Sequence, residues 1–418
     1  MRRRMVATVL ALAVGASLAS CAQDSGPPVL TWYINPDAGG QAELARRCSE
    51  EADGEYRIET SLLPRDAASQ REQLARRLAA GDSSIDIMSL DPPYIPELAE
   101  PGFLAPVPED LQSTEGVVQG AVDSATWDDE LVAVPFWANT QLLWYRKSVA
   151  EAAGLDMTGT VTWEQIMSAA AEQDKDLGVQ GTKAESLTVW INALVASAGG
   201  DIIENPEAPA AEIRLGLDSD AGRAAAQIIG TIGDEGLGGP GLPTANENAS
   251  MNLFQGERGS FMVNWPFVWA AIGEADPDLR QDIGWASYPR VDEGTEAAPP
   301  VGGINLGVGA FGEHPDLAYD AISCIVRPEH QAWYFVTNGN PPSAEQAYDN
   351  AEVQELYPMA DTIRDSLEQA VPRPKTPRYN EVSLGLQETW HPPRAVNQDT
   401  PAEAERLITA VLRGESLL

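Results

Sequence analysis

The sequence predicts an α/β protein that is divided into two lobes. Strand-like and helical patterns alternate from Leu30 onward, and such alternation indicates a parallel sheet covered by helices. About four hundred residues remain after an N-terminal leader, which is more than one hydrophobic core usually serves, so two domains are expected. No second apolar stretch of the sequence approaches the length of a membrane span.

Residues 1–20 have the features of an export signal. A charged start is followed by a run of mainly Val, Ala and Leu that is too short to anchor the chain in a bilayer. The run ends in Leu18-Ala19-Ser20-Cys21, the pattern that lipoprotein signal peptidase recognises; an ordinary secretory signal with a chance cysteine is the alternative. We therefore expect a lipid on Cys21, a flexible tether over residues 21–29, and a place on the outer face of the cell membrane, held by the lipid anchor only.

The first strand and helix set the pattern of the N-terminal part. Leu30–Ile34 is β-like and is stopped by turn residues, after which residues 41–52 have helical spacing. The pattern continues with a strand over 56–63, a helix over 67–80 and a buried strand over 85–90. Ligands of a parallel α/β sheet lie beyond the carboxyl ends of its strands. That rule brings Asn35, Asp37 and Asp91 to one crevice.

The middle of the chain, residues 161–264, has a largely helical composition. Helices are predicted over 161–173, 221–229 and 315–326, strands over 259–265, 283–288 and 304–310, and a loop over 291–300. After one of these strands Pro266 can begin a helix, because its missing N–H costs little in the first turn. Trp265 then occupies the strand-to-helix corner and is expected to stack on a ligand, with Phe267 as a second aromatic. Aromatic residues expected in the core are Trp32, Tyr33, Phe261 and Trp269.

Charge and cysteine content narrow the class of partner. The chain has 27 Lys and Arg against 63 Asp and Glu, a formal net charge of −36, which argues against nucleic acid and anionic lipid as partners. A neutral or cationic ligand fits this charge better. If Cys21 carries lipid, Cys48 and Cys324 remain in an oxidising compartment and are expected to form a disulfide. Two separate small buried residues are the alternative.

Motifs for catalysis are sparse. The three histidines lie far apart in surface-like contexts, so their spacing suggests no metal site and no Ser/His pair. They are His314, His330 and His391. A G-x-G-x-x-G match at residues 236–241 follows no strand and continues as a loop, so no dinucleotide or other cofactor is expected.

Several blocks of the sequence, taken in order, resemble a known family. The blocks are SIDIMSLDPPYIPELAEPGFLAPV, VPFWANTQLLWYRKSVAEAAGL, ENASMNLFQGERGSFMVNWPFVWA and PVGGINLGVGAFGEHPDLAYDAI. They resemble the extracytoplasmic solute-binding proteins of carbohydrate ABC transporters over essentially the whole mature chain. Within that family, NTQLLWYR, NWPFVW, GGINL and RPKTPRY are most similar to the trehalose-binding lipoproteins.

The resemblance implies a two-lobed periplasmic-binding-protein-like fold of type II, which closes over sugar by a hinge between the lobes. It implies a monomeric receptor, not an enzyme, that captures a disaccharide such as trehalose and delivers it to ABC permease subunits with a cytoplasmic ATPase. The N-terminal lobe would comprise residues 30–138 and 305–340, and the C-terminal lobe residues 139–304 and 341–418. Cys48 and Cys324 then fall in the same lobe, which favours the disulfide.

A sugar has hydroxyl groups around its rim and weakly apolar faces, so its site needs hydrogen-bonding groups and an aromatic plate. Trp265 and Phe267 are the expected plate. The resemblance implies that four polar side chains contact the hydroxyls, namely Asp91, Asn139, Glu247 and Arg373. Gly302 and Gly303 lack side chains and would let backbone amides approach the ligand. The strand-end rule and the matching block add Asn35, Asp37 and Gln70.

Some of these assignments have alternatives. Asp91 could instead cap a turn, and Glu247 could stabilise a helix N-terminus. Both could also be the acid and base of a surface glycosidase. Arg373 could be a surface residue, with Arg378 as its nearest competitor. If the ligand roles hold, Asp91→Ala and Arg373→Ala should weaken binding and leave the thermal transition of the ligand-free protein little changed.

Overall fold

The computed structural model describes residues 26–418. The predicted signal peptide, Cys21 and the first part of the predicted tether lie outside the described residues. The strands are β1 (Val29–Ile34), β2 (Arg57–Leu62), β3 (Ile87–Leu90), β4 (Thr126–Trp127), β5 (Glu130–Leu131), β6 (Val134–Thr140), β7 (Leu142–Arg146), β8 (Asp176–Gly178), β9 (Gly259–Asn264), β10 (Ile283–Ala286) and β11 (Val301–Val308).

Eighteen α-helices surround these strands in the described part of the chain. They are α1 (Gly40–Glu51), α2 (Ala67–Ala79), α3 (Ile95–Ala99), α4 (Gln119–Ala125), α5 (Lys147–Ala153), α6 (Trp163–Glu172), α7 (Glu185–Ser197), α8 (Asp220–Asp234), α9 (Glu247–Gln255), α10 (Phe267–Ala275), α11 (Pro277–Asp282), α12 (Pro315–Ile325), α13 (Pro328–Asn338), α14 (Glu345–Tyr348), α15 (Ala351–Leu356), α16 (Ala360–Gln369), α17 (Tyr379–Trp390) and α18 (Thr400–Leu412). Among residues 26–418, no helix has the length and apolar character that a bilayer crossing needs.

Local sequence explains where several helices begin. The Thr162 side chain accepts from the backbone N–H of Gln165, whose side chain accepts in return, and this capping box begins α6. Asp66 caps α2 by accepting from the backbone N–H of Ser69. Pro266 precedes α10 as the sequence predicted.

The first sheet has five strands in the order β2-β1-β3-β11-β6. Strand β1 pairs in parallel with β2 and β3, and helices α1 and α2 connect these strands as the alternating pattern predicted. Strand β11, however, is antiparallel to both of its neighbours. The sheet is therefore mixed, not wholly parallel as predicted, because β11 enters it from the second sheet and not through a crossover helix of its own.

The second sheet has four strands in the order β10-β7-β9-β8. Strand β7 is antiparallel to β10 and β9, and β8 is parallel to β9. Strand β8 lies in the part of the chain that was predicted to be largely helical. Its three residues are all buried, and so short a run has no periodicity by which the sequence could reveal it.

The chain crosses between the two sheets at short connections. It leaves the first sheet with β6 at Thr140 and enters the second with β7 at Leu142, and it returns with β11 at Val301. The lobe boundaries expected after residues 138 and 304 fall inside β6 and β11, where Gly302 pairs with Asn139. The strands of the first sheet thus extend past both boundaries, and the division by residue number stays a prediction.

Each sheet packs against its own hydrophobic core. Trp32, Phe136 and Leu306 belong to the core of the first sheet, and Leu143 and Trp190 to that of the second. A third cluster joins residues from both parts. The aromatic residues predicted to be core are all buried, namely Trp32, Tyr33, Phe261 and Trp269.

The predicted disulfide between Cys48 and Cys324 is present and joins α1 to α12, with the two Cα atoms 5.9 Å apart. His330 lies next to it and is buried, not in a surface-like position as its sequence context suggested. Its Nδ1 lies 2.7 Å from the carbonyl oxygen of Cys324. The sequence context failed here because the Pro and Glu beside His330 begin α13, whose inner face packs against α12.

Candidate ligand-binding cleft

A cavity of about 610 Å³ lies between the two sheets and takes its walls from both of them. Its volume falls within the range of small-molecule sites in proteins. Ten of the eleven residues predicted to contact ligand line it: Asn35, Gln70, Asp91, Asn139, Glu247, Trp265, Phe267, Gly302, Gly303 and Arg373. The tertiary structure therefore brings together residues that are spread over most of the chain.

Asp37 is the predicted site residue that does not line the cavity. Its carboxylate accepts hydrogen bonds from the backbone N–H groups of Gly39 and Gln41 at 2.9 and 2.8 Å, and from the Tyr334 hydroxyl at 3.2 Å. These bonds hold the turn that leads into α1. The strand-end rule was right about the position of Asn35 but wrong for Asp37, because the turn directs its side chain to the start of the helix.

Two predicted polar residues of the wall are Asn35, which follows β1, and Gln70, which lies in α2. The side-chain Oδ1 of Asn35 is buried and has no partner among the described residues. Gln70 donates from Nε2 to the carbonyl of Pro64 at 2.8 Å, which fixes its amide. A buried acceptor without a partner is costly, so the Asn35 amide oxygen is suited to receive a donor from a ligand.

Asn139 is buried in β6, where the chain is about to cross between the sheets. Its Oδ1 accepts from the backbone N–H of Thr140 at 3.0 Å. The bond orients the amide and leaves its Nδ2 as a donor. Trp137 also lines the cavity and lies two residues earlier in the same strand. The sequence analysis missed Trp137, although residues i and i+2 of a strand face the same side.

Arg373 is buried, with 5% of its surface exposed, and lies between two carboxylates. Its Nη2 donates to Asp91 Oδ1 at 2.6 Å, and its Nη1 donates to Glu185 Oε1 at 2.7 Å. The surface-residue alternative is therefore wrong for Arg373. Its competitor Arg378 does not line the cavity and has a half-exposed side chain that pairs with Glu381.

Glu185 is the central acceptor of this group, and sequence reasoning missed it. Besides Arg373, the hydroxyls of Tyr379 and Ser383 donate to its carboxylate, the latter at 2.7 Å. Burial, reinforced by the Glu185 charge, raises the pKa of Tyr379 well above its usual value, so the phenol stays protonated and donates. The only signal in the sequence was an acid in the first turn of an apolar helix, which the helix dipole explains equally well.

The cluster formed by Asp91, Glu185 and Arg373 connects the two sheets. Asp91 follows β3 of the first sheet, whereas Glu185 begins α7, whose apolar residues belong to the core of the second sheet. Arg373 lies in the segment between α16 and α17, and Val371 of that segment hydrogen-bonds to Pro299 and Val301 where β11 begins. Each Nη group of Arg373 donates to one of the acids, and its Nε is buried without a partner among the described residues.

Glu247 begins α9, but it does not cap this helix. The cap is Asn246, whose side chain accepts from the backbone N–H of Ala249 at 3.0 Å. The backbone carbonyl of Glu247 accepts from the Asn264 amide at 2.9 Å, which ties this residue to the end of β9. Its carboxylate lines the cavity, and burial raises its pKa above the usual 4.5.

Trp265 follows β9 and forms an aromatic wall against β11. A Cβ atom added to Gly302 would lie 2.9 Å from the Trp265 ring, so the ring packs into the space that a side chain would fill. Gly303 has φ of +121°, and a Cβ there would lie 2.2 Å from the carbonyl oxygen of Trp137. Packing of the wall thus requires glycine at both positions. The sequence had suggested another reason, namely that glycine lets backbone amides approach the ligand.

Twelve other residues line the cavity that sequence reasoning did not single out, some in loops or at helix starts and others inside β6, β11 and α7. They are Pro36, Arg65, Asp66, Ala67, Trp137, Thr182, Ala184, Glu185, Ser186, Val189, Asn246 and Ile304. Several of them are adjacent in sequence to predicted residues, such as Asn246 beside Glu247. Adjacency alone does not say which side chain faces a cavity, so these positions needed the tertiary structure.

Comparisons with known proteins agree with this architecture. A family model described as "Bacterial extracellular solute-binding protein" matches residues 54–332. A probable ABC transporter-binding protein of Deinococcus radiodurans is 24% identical over 344 residues, which cover 77% of this chain and 78% of the relative.

Solved structures with the same fold include several sugar-bound proteins. Maltose-bound MalE3 of T. maritima aligns with a TM-score of 0.79 and 24% identity, over 92% of this chain and 99% of that one. The GacH receptor of Streptomyces glaucescens, solved unliganded and with acarbose, has a TM-score of 0.76 and 19% identity, over 93% and 98%. UgpB of Mycobacterium tuberculosis, bound to glycerophosphocholine, has a TM-score of 0.76 and 19% identity, over 94% and 99%. The likeness establishes a two-lobed α/β fold of the periplasmic-binding-protein type.

Proposed function

The chain belongs to the family of bacterial extracellular solute-binding proteins, and we propose that it captures a disaccharide, with trehalose as the expected sugar, in the cleft between its lobes. It is a binding protein and not an enzyme, as are its relatives. It then delivers the sugar to the membrane permease subunits of an ABC importer, which a cytoplasmic ATPase drives. The predicted lipid on Cys21 would hold this monomeric receptor on the outer face of the cell membrane.

The observation that best supports a sugar is the composition of the cleft. Trp265 offers an aromatic surface, and Glu247 and Asn139 offer an acceptor and a donor on walls of the same cavity. A pyranose needs this combination because its faces are weakly apolar and its rim carries hydroxyl groups. The unpartnered Oδ1 of Asn35 and Nε of Arg373 add one acceptor and one donor.

The choice of trehalose rests on sequence resemblance. The blocks NTQLLWYR, NWPFVW, GGINL and RPKTPRY are similar to those of LpqY, the trehalose-binding lipoprotein of mycobacteria. Three of these blocks contribute Asn139, Trp265, Gly302 and Gly303 to the cavity, and the fourth contains Arg373. The maltose-bound neighbour supports a disaccharide as the ligand.

Calorimetric titration of the lipid-free protein with trehalose, maltose, sucrose and glucose tests this function. We expect saturable binding of trehalose and weaker or no binding of the others. Chromatography of the sugar after incubation then checks for turnover. Release of glucose from trehalose would contradict the receptor and favour a glycosidase that uses Asp91 and Glu247. Tight binding of maltose without binding of trehalose would overturn the choice of sugar.

A further inference from the structure

The charged residues around the cleft bear on the class of sugar that it accepts, if the proposed function holds. Four carboxylates and two guanidinium groups line the cavity. They are Asp66, Asp91, Glu185, Glu247, Arg65 and Arg373. Acidic side chains outnumber basic ones within the cleft. The whole chain is also acidic, with a formal net charge of −36. An anionic ligand therefore meets an unfavourable field at long and at short range.

The helix starts at the cleft are already occupied by carboxylates of the chain itself. Asp66 caps α2, Glu185 lies in the first turn of α7, and Glu247 lies in the first turn of α9. Proteins commonly bind phosphate and carboxylate groups at helix N-termini, because free N–H groups and the helix dipole favour negative charge there. At these three positions an anionic ligand would instead meet a negative side chain.

Arg373 does not compensate for these acids, because its charge is shared by two of them. Asp91 and Glu185 both accept from its Nη groups, so the three residues together have a formal charge of −1. Arg65 is exposed and adjacent to Asp66 in the chain, so solvent and the neighbouring carboxylate weaken its effect on a ligand. Arg373 is thus shared between two acids, and Arg65 is the lining guanidinium group that forms no ion pair among residues 26–418.

Glu247 and Asp66 are the lining acids that form no ion pair among residues 26–418, and the Asp66 carboxylate is used to cap α2. Among residues 26–418, the ion pairs of the cleft join Asp91 and Glu185 to Arg373, and none includes Glu247. Glu247 is one of the residues that line the cavity. The charged groups that act on it are Glu185 and Arg373, which oppose each other in sign.

We propose that the cleft selects sugars by charge: it rejects a sugar with a carboxylate or phosphate group, and it accepts a sugar with an ammonium group, which pairs with Glu247. An ammonium group fits where a hydroxyl fits, since both present N–H or O–H donors of similar size. A hydroxyl already forms a charge-assisted hydrogen bond with an ionised carboxylate, and an ammonium group adds the attraction between two opposite charges. A carboxylate on the ligand would place a further negative charge in a cavity where four acids face two guanidinium groups, one of which, Arg373, is already shared by Asp91 and Glu185.

The test compares ligands that differ in charge and hardly in size. Trehalose is compared with its four monoamino derivatives, in which an ammonium group replaces the hydroxyl at C2, C3, C4 or C6. Trehalose oxidised at one C6 to the carboxylate is compared with the corresponding carboxamide. We expect at least one amino derivative to bind about five-fold more tightly than trehalose. We expect the carboxylate to bind about ten-fold more weakly than the amide.

Variants of the protein test whether Glu247 causes the preference for the amino derivative. Glu247→Gln should abolish the preference for the amino derivative over trehalose, since the amide keeps the shape of the side chain but not its charge. Glu164→Gln is the matched control, because Glu164 also lies in the first turn of a helix but is exposed. In that variant the preference should remain.

The outcomes separate this inference from the proposed function. If trehalose and the other neutral sugars all fail to bind, the proposed function fails. If neutral trehalose binds but every amino derivative binds more weakly, or if Glu247→Gln leaves the preference intact, the inference alone is overturned. If the oxidised trehalose and its carboxamide bind with equal affinity, the inference that the cleft rejects anions is overturned.

Discussion

Trp265 and Gly302 form a matched pair in the wall of the cleft. The ring of Trp265 occupies the space beside Gly302, where a Cβ atom would lie only 2.9 Å from it. The indole cannot bend away as a flexible side chain would, so any side chain at position 302 must move the whole ring. The position of the aromatic surface therefore depends on a glycine in another strand.

Gly302→Ala is expected to weaken sugar binding about five- to ten-fold, because displacement of the Trp265 ring removes its stacking contact. Calorimetric titration with trehalose measures the loss, and the tryptophan emission spectrum reports the changed surroundings of the ring. Gly159→Ala is the matched control, since a Cβ at Gly159 would meet no atom within 4 Å. Equal affinities for both variants would contradict this role of Gly302.

The Glu247 carboxylate should make sugar binding depend on pH. Burial raises its pKa above 4.5 in the free protein, and the charge of Glu185 acts in the same direction. Above that pKa the ionised group accepts hydrogen bonds from hydroxyls through both oxygens, whereas below it one oxygen carries a proton. Affinity for neutral trehalose should therefore be lost as pH falls through this raised pKa of Glu247.

Titrations of trehalose at a series of pH values measure this dependence. Glu247→Gln should bind more weakly at neutral pH and should show a flatter profile, because the amide does not titrate. Glu164→Gln should keep the profile of the unmodified protein, since Glu164 is exposed and lies outside the cavity. A profile that falls equally in all three proteins would assign the titration to another group.

At the scale of secondary-structure elements, helix starts and strand ends converge on the cleft. Strand β3 ends just before Asp91, β9 ends just before Trp265, and α9 begins with Glu247. Strand ends and helix starts lie at the same edge of an α/β layer, so short connections place many side chains in one crevice. The disulfide lies on other elements, since it links α1 to α12.

Removal of this disulfide is expected to cost stability but not affinity. Cys324→Ser frees a cross-link between residues 276 positions apart in the sequence, and loss of such a link commonly costs about 2 to 4 kcal/mol. Urea unfolding measures the change. The double variant Cys48→Ser/Cys324→Ser is the control for an unpaired thiol and should unfold at the same concentration. Neither cysteine lines the cavity, so a large change in trehalose affinity would contradict this separation.

At the scale of the whole molecule, one buried cluster of charged residues joins the two lobes. Asp91 belongs to the first sheet and Glu185 to the core of the second, and Arg373 pairs with both from the segment beside β11. Tyr94 and Tyr379 meet next to it, with ring centroids 5.5 Å apart. These contacts connect the lobes in addition to the strands that cross between them.

Arg373→Ala is expected to destabilise the ligand-free protein by about 3 to 5 kcal/mol, because it leaves Asp91 and Glu185 in a buried site without their cation. The expectation from the sequence alone was a transition that hardly changes, and the structure reverses it. Thermal and urea unfolding measure the loss. Arg378→Ala is the control, since its side chain is 52% exposed and should contribute little. An unchanged transition in Arg373→Ala would show that the buried pairs do not stabilise the fold.

Much of the architecture and of the cleft could be predicted from local sequence. The alternation from β1 to β3, the corner at Trp265 and Pro266, and the cysteine pair all depend on patterns within a few residues or on composition. Resemblance of short blocks then brought Asp91, Asn139, Glu247 and Arg373 to one site, and all four line the cavity. Whether they bind sugar stays a prediction.

Local patterns and the resemblance of short blocks were enough to predict the α/β class, six of the eleven strands among residues 26–418, and ten of the residues that line the cavity. Only the tertiary structure decided which charges meet: Arg373 lies 282 positions from Asp91 and 188 from Glu185 in the sequence. It also decided that Asp37 holds a turn and that Gly302 makes room for a ring. The physical reason is that side-chain pairing and steric fit depend on distances between separate elements. Sequence periodicity and local propensity describe short segments and do not predict those distances.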